Sequence, residues 1–419
     1  MIFRRLACIA LIVAATTSSA FASVQFICEI RNGSAVQIAK QLNATILDST
    51  DDGTYLMSAE SLPTQLPKGV TYVEPDNPIP VQPTSGAILK VPSTAPADWY
   101  SSQPAMQLIR LPNARFFTTG AGTIIADIDS AVDYRHPALI GHLLNGADFV
   151  KTGSSSATLN QSSSAFLDQS SSAFLDQSTS GFLDQSSTSF LDQSTATFVD
   201  AGNPAHGHAT MTAGILAAVA PGAQIMPLRA FDDQGIGSVW SIKKAIMYAV
   251  KNGAHIINMS FGLSTYSHTL ANAAAFALRN DVVLVSSAGN NGTAEVQYPA
   301  GYTDVIGVAA TDLFDKKAPF SNYGIAVYVT APGVNIISAY PNGLYAVLSG
   351  TSFSAPMVAA QAALMRTALV NYGVDFKQYP LIMCVRYLLS IGAVNIDTQN
   401  PSFSKQLGYG RINLENSKK

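Results

Sequence analysis

Short apolar runs alternate with runs of helical spacing over most of this chain, and that alternation constrains the fold more than any other feature. The strand-like runs are 122–131, 224–229, 254–259, 282–287 and 304–308, and the helix-like runs are 238–252 and 270–280. Strands that are apolar along their whole length must be buried on both faces, which is typical of a parallel sheet covered by helices. We therefore predict a three-layer α/β fold with helices on both faces of a parallel sheet.

Polar side chains stand at the ends of two predicted strands. Asp129 lies near the end of the first strand, and Asn290 follows the run 282–287. Because binding sites of such sheets lie at the carboxyl ends of the strands, both side chains are candidates for one site. His208 starts a small-residue helical run, and Ser352 lies where a loop becomes an apolar helix.

The run that follows Ser352 explains why a hydroxyl at this point is of chemical interest. Pro356 suits the first turn of a helix, since the N–H that it lacks would find no intrahelical partner there. A nucleophile at a helix N-terminus gains from the positive end of the helix dipole when negative charge develops nearby. We therefore predict that Ser352 lies at the N-terminus of the helix and that Pro356 lies in its first turn.

The order of these four residues, with their flanking residues, resembles the subtilisin-like serine peptidases, the subtilases. The resemblance covers roughly residues 99–413. Further matching blocks are 134–139, 219–223, 257–262, 320–324, 331–334 and 408–413. So many blocks in one order are far more specific than any single motif.

The resemblance implies a role for each of the four residues. Ser352 would be the nucleophile, His208 the base and then the acid, and Asp129 the residue that orients the imidazole. Asn290 would donate a hydrogen bond to the oxyanion, beside the backbone N–H of Ser352. The implied function is a secreted serine endopeptidase that hydrolyses peptide bonds through an acyl-enzyme. The expected partner is a peptide or protein substrate.

The resemblance also implies where the substrate binds. Gly235 and Gly237 would lie beside an extended substrate, which would pair with this segment as an added strand. The residues expected to flank the pocket for the side chain before the cut are Ser260, Phe261, Gly262, Ser287, Ala288 and Gly289. None of these residues is acidic or basic, which favours an apolar or broad specificity.

Some residues depart from the family pattern. Asp127 shares a strand face with Asp129, at a position that is usually apolar in the family. A buried carboxylate there would share a proton or need a partner, and a structural hydrogen-bonding role is favoured over catalysis. Ala131 and Ala209 stand where the family usually has glycine. His206 precedes the histidine motif and is predicted to face solvent or to form a hydrogen bond, because no third metal ligand accompanies the pair.

The N-terminal part predicts export and processing. Residues 1–22 read as a signal peptide, with two arginines, an apolar core too short to span a bilayer, and small residues at its end. Residues 23–80 predict a small α+β domain that is similar in position and pattern to a subtilase propeptide. That likeness implies a domain that assists folding and masks the site until it is removed. The proline-rich residues 81–98 predict an exposed linker, and 99–419 the peptidase domain.

An octad repeat interrupts the predicted peptidase domain at 154–200. Its phenylalanines recur every eight residues, at Phe166, Phe174, Phe182, Phe190 and Phe198. The serine-rich filler between them has little to bury, which favours a solvated low-complexity arm. A small stacked coil of octads is the alternative interpretation.

Charge and cysteine content exclude several classes of protein. Charged residues make up 12% of the chain, 24 basic against 27 acidic, so no basic surface for nucleic acid is expected. No membrane span is predicted outside the signal, and a monomer is expected. Cys28 and Cys384 are too few for a disulfide framework and predict buried thiols. No cofactor or metal is predicted, although Asp232 and Asp233 are isolated candidates for calcium.

Two functions of other classes compete with the peptidase. A subtilase scaffold that has lost catalysis could act as a binding or adhesion protein through its octad arm. A lipase or esterase would need the motif Gly-x-Ser-x-Gly, and Ser354 stands where the second glycine should be. The presence of all four expected catalytic residues favours the peptidase.

Overall fold

A computed structural model describes residues 23–81, 86–89, 96–150, 157–159, 197–198 and 207–415. The described chain falls into two units, one ending at Pro75 and the other starting at Asp76. The predicted signal peptide, His206 and most of the octad insertion lie outside the described residues.

The smaller unit is a four-stranded antiparallel sheet with one helix. Its elements are β1 (Val24–Ile30), α1 (Ala35–Gln41), β2 (Thr45–Ser49), β3 (Thr54–Ala59) and β4 (Val70–Pro75). The strand order is β2-β3-β1-β4. Alternate residues of β1, Phe26, Cys28 and Ile30, share a buried cluster with Ile38 of α1, as the two-residue period of a strand requires. The unit thus combines strands and a helix as an α+β domain does, and its likeness to a propeptide stays a prediction.

The larger unit is built on an eight-stranded sheet. Its strands are β7 (Ile124–Asp129), β8 (Gly146–Asp148), β9 (Ala157–Leu159), β11 (Gln224–Arg229), β13 (Ile256–Met259), β14 (Val283–Ser287), β15 (Ile306–Thr311) and β16 (Val329–Pro332). They lie in the order β16-β15-β14-β13-β7-β11-β8-β9. All neighbours pair in parallel except β8 and β9, which pair antiparallel. The predicted parallel sheet is confirmed.

Helices cover both faces of this sheet. They are α2 (Pro104–Leu108), α3 (Leu111–Arg115), α4 (His208–Val219), α5 (Val239–Lys251), α6 (His268–Arg279), α7 (Thr351–Asn371) and α8 (Leu381–Gly392). The connection through α4 leads from β8 and β9 back to β11, and those through α5 and α6 lead on to β13 and β14. Helices α5 and α6 pack against each other in one layer. Helix α7 packs beside α4.

Strand β7 lies between β11 and β13, and the crevice outside the carboxyl ends of these strands is where such sheets bind ligands. Three elements meet the sheet edge around this crevice: the end of β7, the segment after β13 and the segment after β14. The N-termini of α4 and α7 approach the same region, since their first residues contact each other through His208 and Phe353.

Smaller strands complete the larger unit. They are β5 (Pro78–Pro80), β6 (Gly86–Leu89), β10 (Thr197–Phe198), β12 (Ile236–Ser238), β17 (Ile336–Tyr340) and β18 (Leu344–Leu348). Strand β6 pairs with β18, and Leu89 is buried. This part of the predicted linker is therefore less exposed than its proline content predicts, because the residues between the prolines find a strand edge.

Helix α7 is buried almost all round, as its continuous run of apolar and small residues requires. Within the described part of the chain it is the one helix that is long and apolar enough to cross a membrane, and most of it lies inside the protein.

Candidate active site

Asp129 and His208 form a close, buried pair. Asp129 is the last residue of β7 and His208 is the first residue of α4, and their exposed fractions are 3% and 1%. Nδ1 of His208 lies 2.8 Å from both carboxylate oxygens of Asp129. The backbone N–H of Ser130 donates to the same carboxylate at 2.6 Å. The structure thus brings together the two residues that the sequence analysis assigned as orienting acid and base.

The geometry defines the state of the imidazole. Nδ1 faces a carboxylate and therefore carries the proton, which leaves Nε2 as the basic nitrogen. Nε2 is buried and has no hydrogen-bond partner among the described residues. Burial lowers the pKa of His208, but the charge and hydrogen bond of Asp129, together with the charge of Asp127, raise it above its usual value.

Ser352 lies at the N-terminus of α7, as predicted, whereas the prediction that Pro356 lies in the first turn is wrong. The helix begins at Thr351, so Pro356 stands inside it rather than in its first turn. The missing N–H of Pro356 would have bonded the carbonyl oxygen of Ser352, four residues earlier. Ser260 takes its place: its hydroxyl donates to that carbonyl at 2.9 Å.

The hydroxyl of Ser352 points to the segment after β13. It donates to the carbonyl oxygen of Ser260 at 3.1 Å, so Ser260 holds Ser352 by both its side chain and its backbone. No hydrogen bond joins Ser352 to His208 in this arrangement. Catalytic hydrogen bonds are often formed only when substrate is bound, so this arrangement does not count against the pair.

Asn290 is oriented by the residue that precedes Ser352. Its Oδ1 accepts hydrogen bonds from the backbone N–H of Thr351 at 2.9 Å and from the Thr351 hydroxyl at 2.7 Å. With Oδ1 fixed in this way, Nδ2 is the part of the amide that is left to donate. The residue predicted to supply an oxyanion donor therefore lies beside the N-terminus of α7 with its N–H₂ group available.

Asp127 lies in the same buried network. Thr212 Oγ1 lies 2.8 Å from Oδ2 of Asp127, and Asn258 Nδ2 donates to Oδ1 at 2.8 Å. Burial and the charge of Asp129 raise the pKa of Asp127 to about 7, although hydrogen bonds from Asn258 and Thr212 act in the opposite direction. The hydrogen-bonding role predicted for Asp127 matches these contacts.

Gln297 fills the space between two predicted walls of the substrate pocket. A Cβ atom added to Gly262 or to Gly289 would collide with its Oε1. The side chain is 3% exposed, and Oε1 has no hydrogen-bond partner among the described residues. None of the other predicted wall residues carries a buried side-chain oxygen or nitrogen that lacks a hydrogen-bond partner among the described residues. Phe261 packs on Phe231 at a ring distance of 5.1 Å.

The remaining wall residues are buried in the scaffold. Ser287 donates from its hydroxyl to the carbonyl oxygen of Phe261 at 3.4 Å, and Ala288 belongs to a separate apolar cluster. These contacts place Ser287 and Ala288 in the packing between β13 and β14. What they contribute to substrate binding stays a prediction.

The edge of β12 is already paired with an extended segment of the same unit. Gly237 lies opposite Ile79 in an antiparallel pair, and the N–H of Val81 donates to the carbonyl oxygen of Gly235 at 2.8 Å. Ile79 is fully buried. The two glycines predicted to receive an extended substrate therefore form an edge that accepts an added strand.

Other sequence predictions are resolved by local geometry. Ala131 and Ala209 both have negative φ, so the extra methyl groups cause no backbone strain. Asp232 accepts backbone hydrogen bonds within its own turn, and Asp233 pairs with Arg229 at 2.6 Å. The described residues contain no group of three or more His, Cys, Asp or Glu side chains that could hold a metal ion.

The predicted buried thiols differ from each other. Cys28 is buried, as predicted, whereas Cys384 is only half-buried. Cys384 lies on α8, where it follows the exposed Met383, so its apolar neighbours in sequence do not all face the core.

Four residues of the site were missed by the sequence analysis: Thr212, Asn258, Gln297 and Thr351. Thr212 could have been found, because it follows His208 by four residues in a helix and therefore shares its face. Asn258 lies in the matched block 257–262, on the strand that pairs with β7. Nothing in the sequence around Gln297 or Thr351 indicates that these residues belong to the site.

Comparisons with known proteins identify the family of this chain. A sequence profile described as "Subtilase family" matches residues 120–410. "Thermophilic serine proteinase" of Bacillus sp. (strain AK1) is 36% identical over 255 residues, which are 58% of this chain and 52% of that protein. "Thermitase" of Thermoactinomyces vulgaris is 34% identical over 275 residues, 63% of this chain and 82% of that protein. The match thus spans about half the length of the first relative.

One solved structure has the same fold over most of the chain. It is fervidolysin from Fervidobacterium pennivorans, described as a keratinolytic enzyme related to subtilisin. The TM-score is 0.68 at 23% sequence identity, and the match covers 95% of this chain and 61% of the other. At that identity the similarity is one of fold.

Proposed function

Since this chain belongs to the subtilase family of serine peptidases, we propose that it is a secreted endopeptidase that cleaves peptide bonds through Ser352, His208 and Asp129. The observation that carries this proposal is the imidazole of His208. One nitrogen is held by both oxygens of Asp129, and the other is unpartnered at the sheet edge where α7 begins. A scaffold that had lost catalysis would have no need to keep a buried basic nitrogen free.

The proposed reaction follows from these positions. Ser352 gives up its hydrogen bond to Ser260, and its proton moves to Nε2 of His208 as Oγ attacks the scissile carbonyl carbon. The imidazolium then protonates the leaving amine, which departs and leaves an ester on Ser352. Water, deprotonated by the same nitrogen, hydrolyses that ester and restores the serine hydroxyl. Asp129 stays ionised and stabilises the imidazolium at each step.

A covalent probe tests the proposal directly. A fluorophosphonate should modify Ser352 in the processed protein, and the modified residue can be identified by mass spectrometry. Profiling cut sites on a peptide library should then show internal cleavage. A correctly folded, processed protein that neither reacts nor cleaves would favour the binding-protein alternative.

We expect Asn290→Ala to lower kcat roughly 100- to 1000-fold with little change in KM. The oxyanion develops only in the transition state, so the loss of a donor affects turnover rather than ground-state binding. Thr351→Val removes one of the two donors that fix Oδ1 of Asn290 and should cause a smaller loss. Steady-state kinetics measure both variants. An Asn290→Ala enzyme with kcat within about threefold of wild type would contradict the assignment.

The segment that pairs with β12 supports a zymogen. Residues 78–80 occupy the edge that the family resemblance assigns to an extended substrate, and they directly follow the boundary of the smaller unit. We propose that residues 23–80 act as a propeptide whose final residues block the substrate edge until the chain is cut. Sequencing the N-terminus of the active, secreted protein tests this. An active enzyme whose N-terminus stays near residue 23 would contradict it.

The proposal that the protein is secreted rests on the first 22 residues of the sequence. The arginine pair, the short apolar core and the Ala-Phe-Ala ending are the features of a secretory signal.

Gln297 suggests a pocket that is shallower and more polar than the sequence analysis predicted. The side chain fills the space between Gly262 and Gly289, and it carries an unpartnered buried oxygen. A small substrate residue with a hydrogen-bonding group would suit this pocket better than a large apolar one.

We expect Gln297→Gly to shift the preference before the cut towards larger apolar residues, by roughly 10-fold or more in relative kcat/KM, because the variant opens the space that the amide now fills. Matched peptides that differ only in this residue, with alanine, serine, leucine and phenylalanine, measure the shift. An unchanged ranking of these peptides in the variant would show that Gln297 does not form the pocket floor.

A further inference from the structure

Asp127 and Asp129 form a pair of buried carboxyl groups on one face of β7. Residues two apart on a strand point to the same side, and the exposed fractions of the two side chains are 2% and 3%. Asn258 lies beside Asp127 on β13, and Pro227 lies beside it on β11. The charged or titratable groups that act on Asp127 within the described residues are Asp129, on its own strand, and His208, on α4.

The contacts of the Thr212 hydroxyl indicate that the two carboxyl groups hold one proton between them. Its single hydroxyl hydrogen has three acceptors within reach: Oδ2 of Asp127 at 2.8 Å, the carbonyl oxygen of Ala209 at 3.0 Å, and Oδ2 of Asp129 at 3.3 Å. One hydrogen cannot serve three acceptors. A proton on Oδ2 of Asp127 resolves the shortage, since Asp127 then donates to Thr212, and the Thr212 hydrogen is free for the other two.

The charge of Asp129 decides between those two acceptors. A hydrogen bond to an ionised carboxylate is stronger than one to a neutral carbonyl, so Thr212 donates to Asp129 once Asp127 supplies its own proton. The chain of contacts then runs from Asp127 through Thr212 to Asp129, which holds Nδ1 of His208.

The other oxygen of Asp127 leads to the nucleophile. Nδ2 of Asn258 donates to Oδ1 of Asp127 and lies 3.0 Å from Oγ of Ser260. Ser260 in turn holds the carbonyl oxygen of Ser352. Asp127 is therefore connected by hydrogen bonds, through intervening residues, to both the base and the nucleophile.

We propose that Asp127 is a positioning residue that stands as a neutral carboxylic acid beside the ionised Asp129, donates its proton to Thr212, and so sets the basicity of His208. The proposal rests on the peptidase function proposed above, and it gives the active site a second group that exchanges a proton.

The proposal has a specific consequence for pH dependence. When Asp127 loses its proton, a second negative charge faces His208 and increases the affinity of the imidazole for its own proton. The two protons then leave in coupled steps that belong to the pair. The acid limb of kcat/KM should therefore rise over a wider pH range than a single ionisation allows.

Asp127→Asn is the matched variant, because asparagine reproduces the neutral acid. Its amide N–H₂ can donate to Thr212 while its oxygen accepts from Asn258, but it cannot ionise. We expect the acid limb of kcat/KM to become a single-proton curve, with its midpoint shifted to lower pH because the charge of Asp127 no longer raises the pKa of His208. Asp127→Val also cannot ionise, so its limb should narrow in the same way, but it removes both contacts. A drop in kcat that appears in Asp127→Val and not in Asp127→Asn therefore measures the structural damage.

Titration of the His208 ring by NMR gives a second readout that does not depend on activity. The wild type should titrate in two coupled steps, and Asp127→Asn in one step at lower pH. If the protein cleaves nothing, the proposed function fails, yet the ring titration still tests Asp127. If Asp127→Asn does not fold, the wild-type titration alone decides. A single-proton wild-type curve would overturn the proposal, as would equal midpoints in both proteins.

Discussion

Ser352→Ala is expected to lower kcat by about 10⁶-fold, because no other group in the described site can form the acyl bond. Ser352 lies at the start of α7, and its hydroxyl donates to the carbonyl oxygen of Ser260 at 3.1 Å. The methyl group of alanine fits the same space without strain, so the fold should be retained. Kinetics on a peptide substrate measure the loss, and a fluorophosphonate should leave the variant unlabelled.

Ser354 provides a matched control two residues along the same helix. Its hydroxyl is also buried, but it donates to the carbonyl oxygens of Ala331 and Pro332 at 3.1 Å and so serves packing. Ser354→Ala should keep fluorophosphonate labelling and lose about 1 kcal/mol of stability. Labelling that persists in Ser352→Ala, or that disappears in a folded Ser354→Ala, would refute the assignment of the nucleophile.

The sheet and the four principal residues could be predicted from the sequence because their signals are local. Continuous apolar runs between helical runs require a parallel sheet, and the carboxyl ends of its strands collect the polar residues at one edge. Asp129 and Asn290 were placed by that rule alone. The roles of His208 and Ser352 needed the family resemblance as well, since neither position specifies a partner by itself.

The contacts that orient these residues could not be predicted, because they depend on elements far apart in the chain. Thr351 fixes the amide of Asn290 across 61 residues, and Ser260 bonds the carbonyl of Ser352 across 92. The error about Pro356 has the same origin. Its place in the helix depends on where α7 starts, and the missing N–H is replaced by a hydroxyl from the segment after β13.

The residues that depart from the family pattern differ in their structural consequences. Ala131 and Ala209 have no consequence, because the backbone at both positions suits any residue. Asp127 is different, since it has its own hydrogen-bond partners in Thr212 and Asn258. A polar residue buried in a sheet costs free energy unless it is bonded, so these partners must accompany it.

Asp129→Asn is expected to lower kcat/KM near neutral pH by about 10⁴-fold, although the variant differs from wild type by one group of similar size. Asparagine would turn its N–H₂ group or its oxygen towards Nδ1 of His208. The N–H of Ser130 donates to one position of the side chain at 2.6 Å, and this bond favours the amide oxygen there. The amide nitrogen then faces Nδ1 and drives the imidazole proton to Nε2. A protonated Nε2 cannot accept the proton of Ser352.

The same variant also tests the coupling between the two carboxyl groups. The charge of Asp129 helps to raise the pKa of Asp127, so its removal should lower the pKa of Asp127 towards the usual value. Kinetics over a pH series and the NMR titration of the His208 ring measure the two effects separately. A loss of less than about tenfold in Asp129→Asn would mean that Asp129 does not select the tautomer. Asp127, linked to His208 through Thr212 and residue 129, would then be the acid to replace next, and the double variant would show whether either carboxylate orients the base.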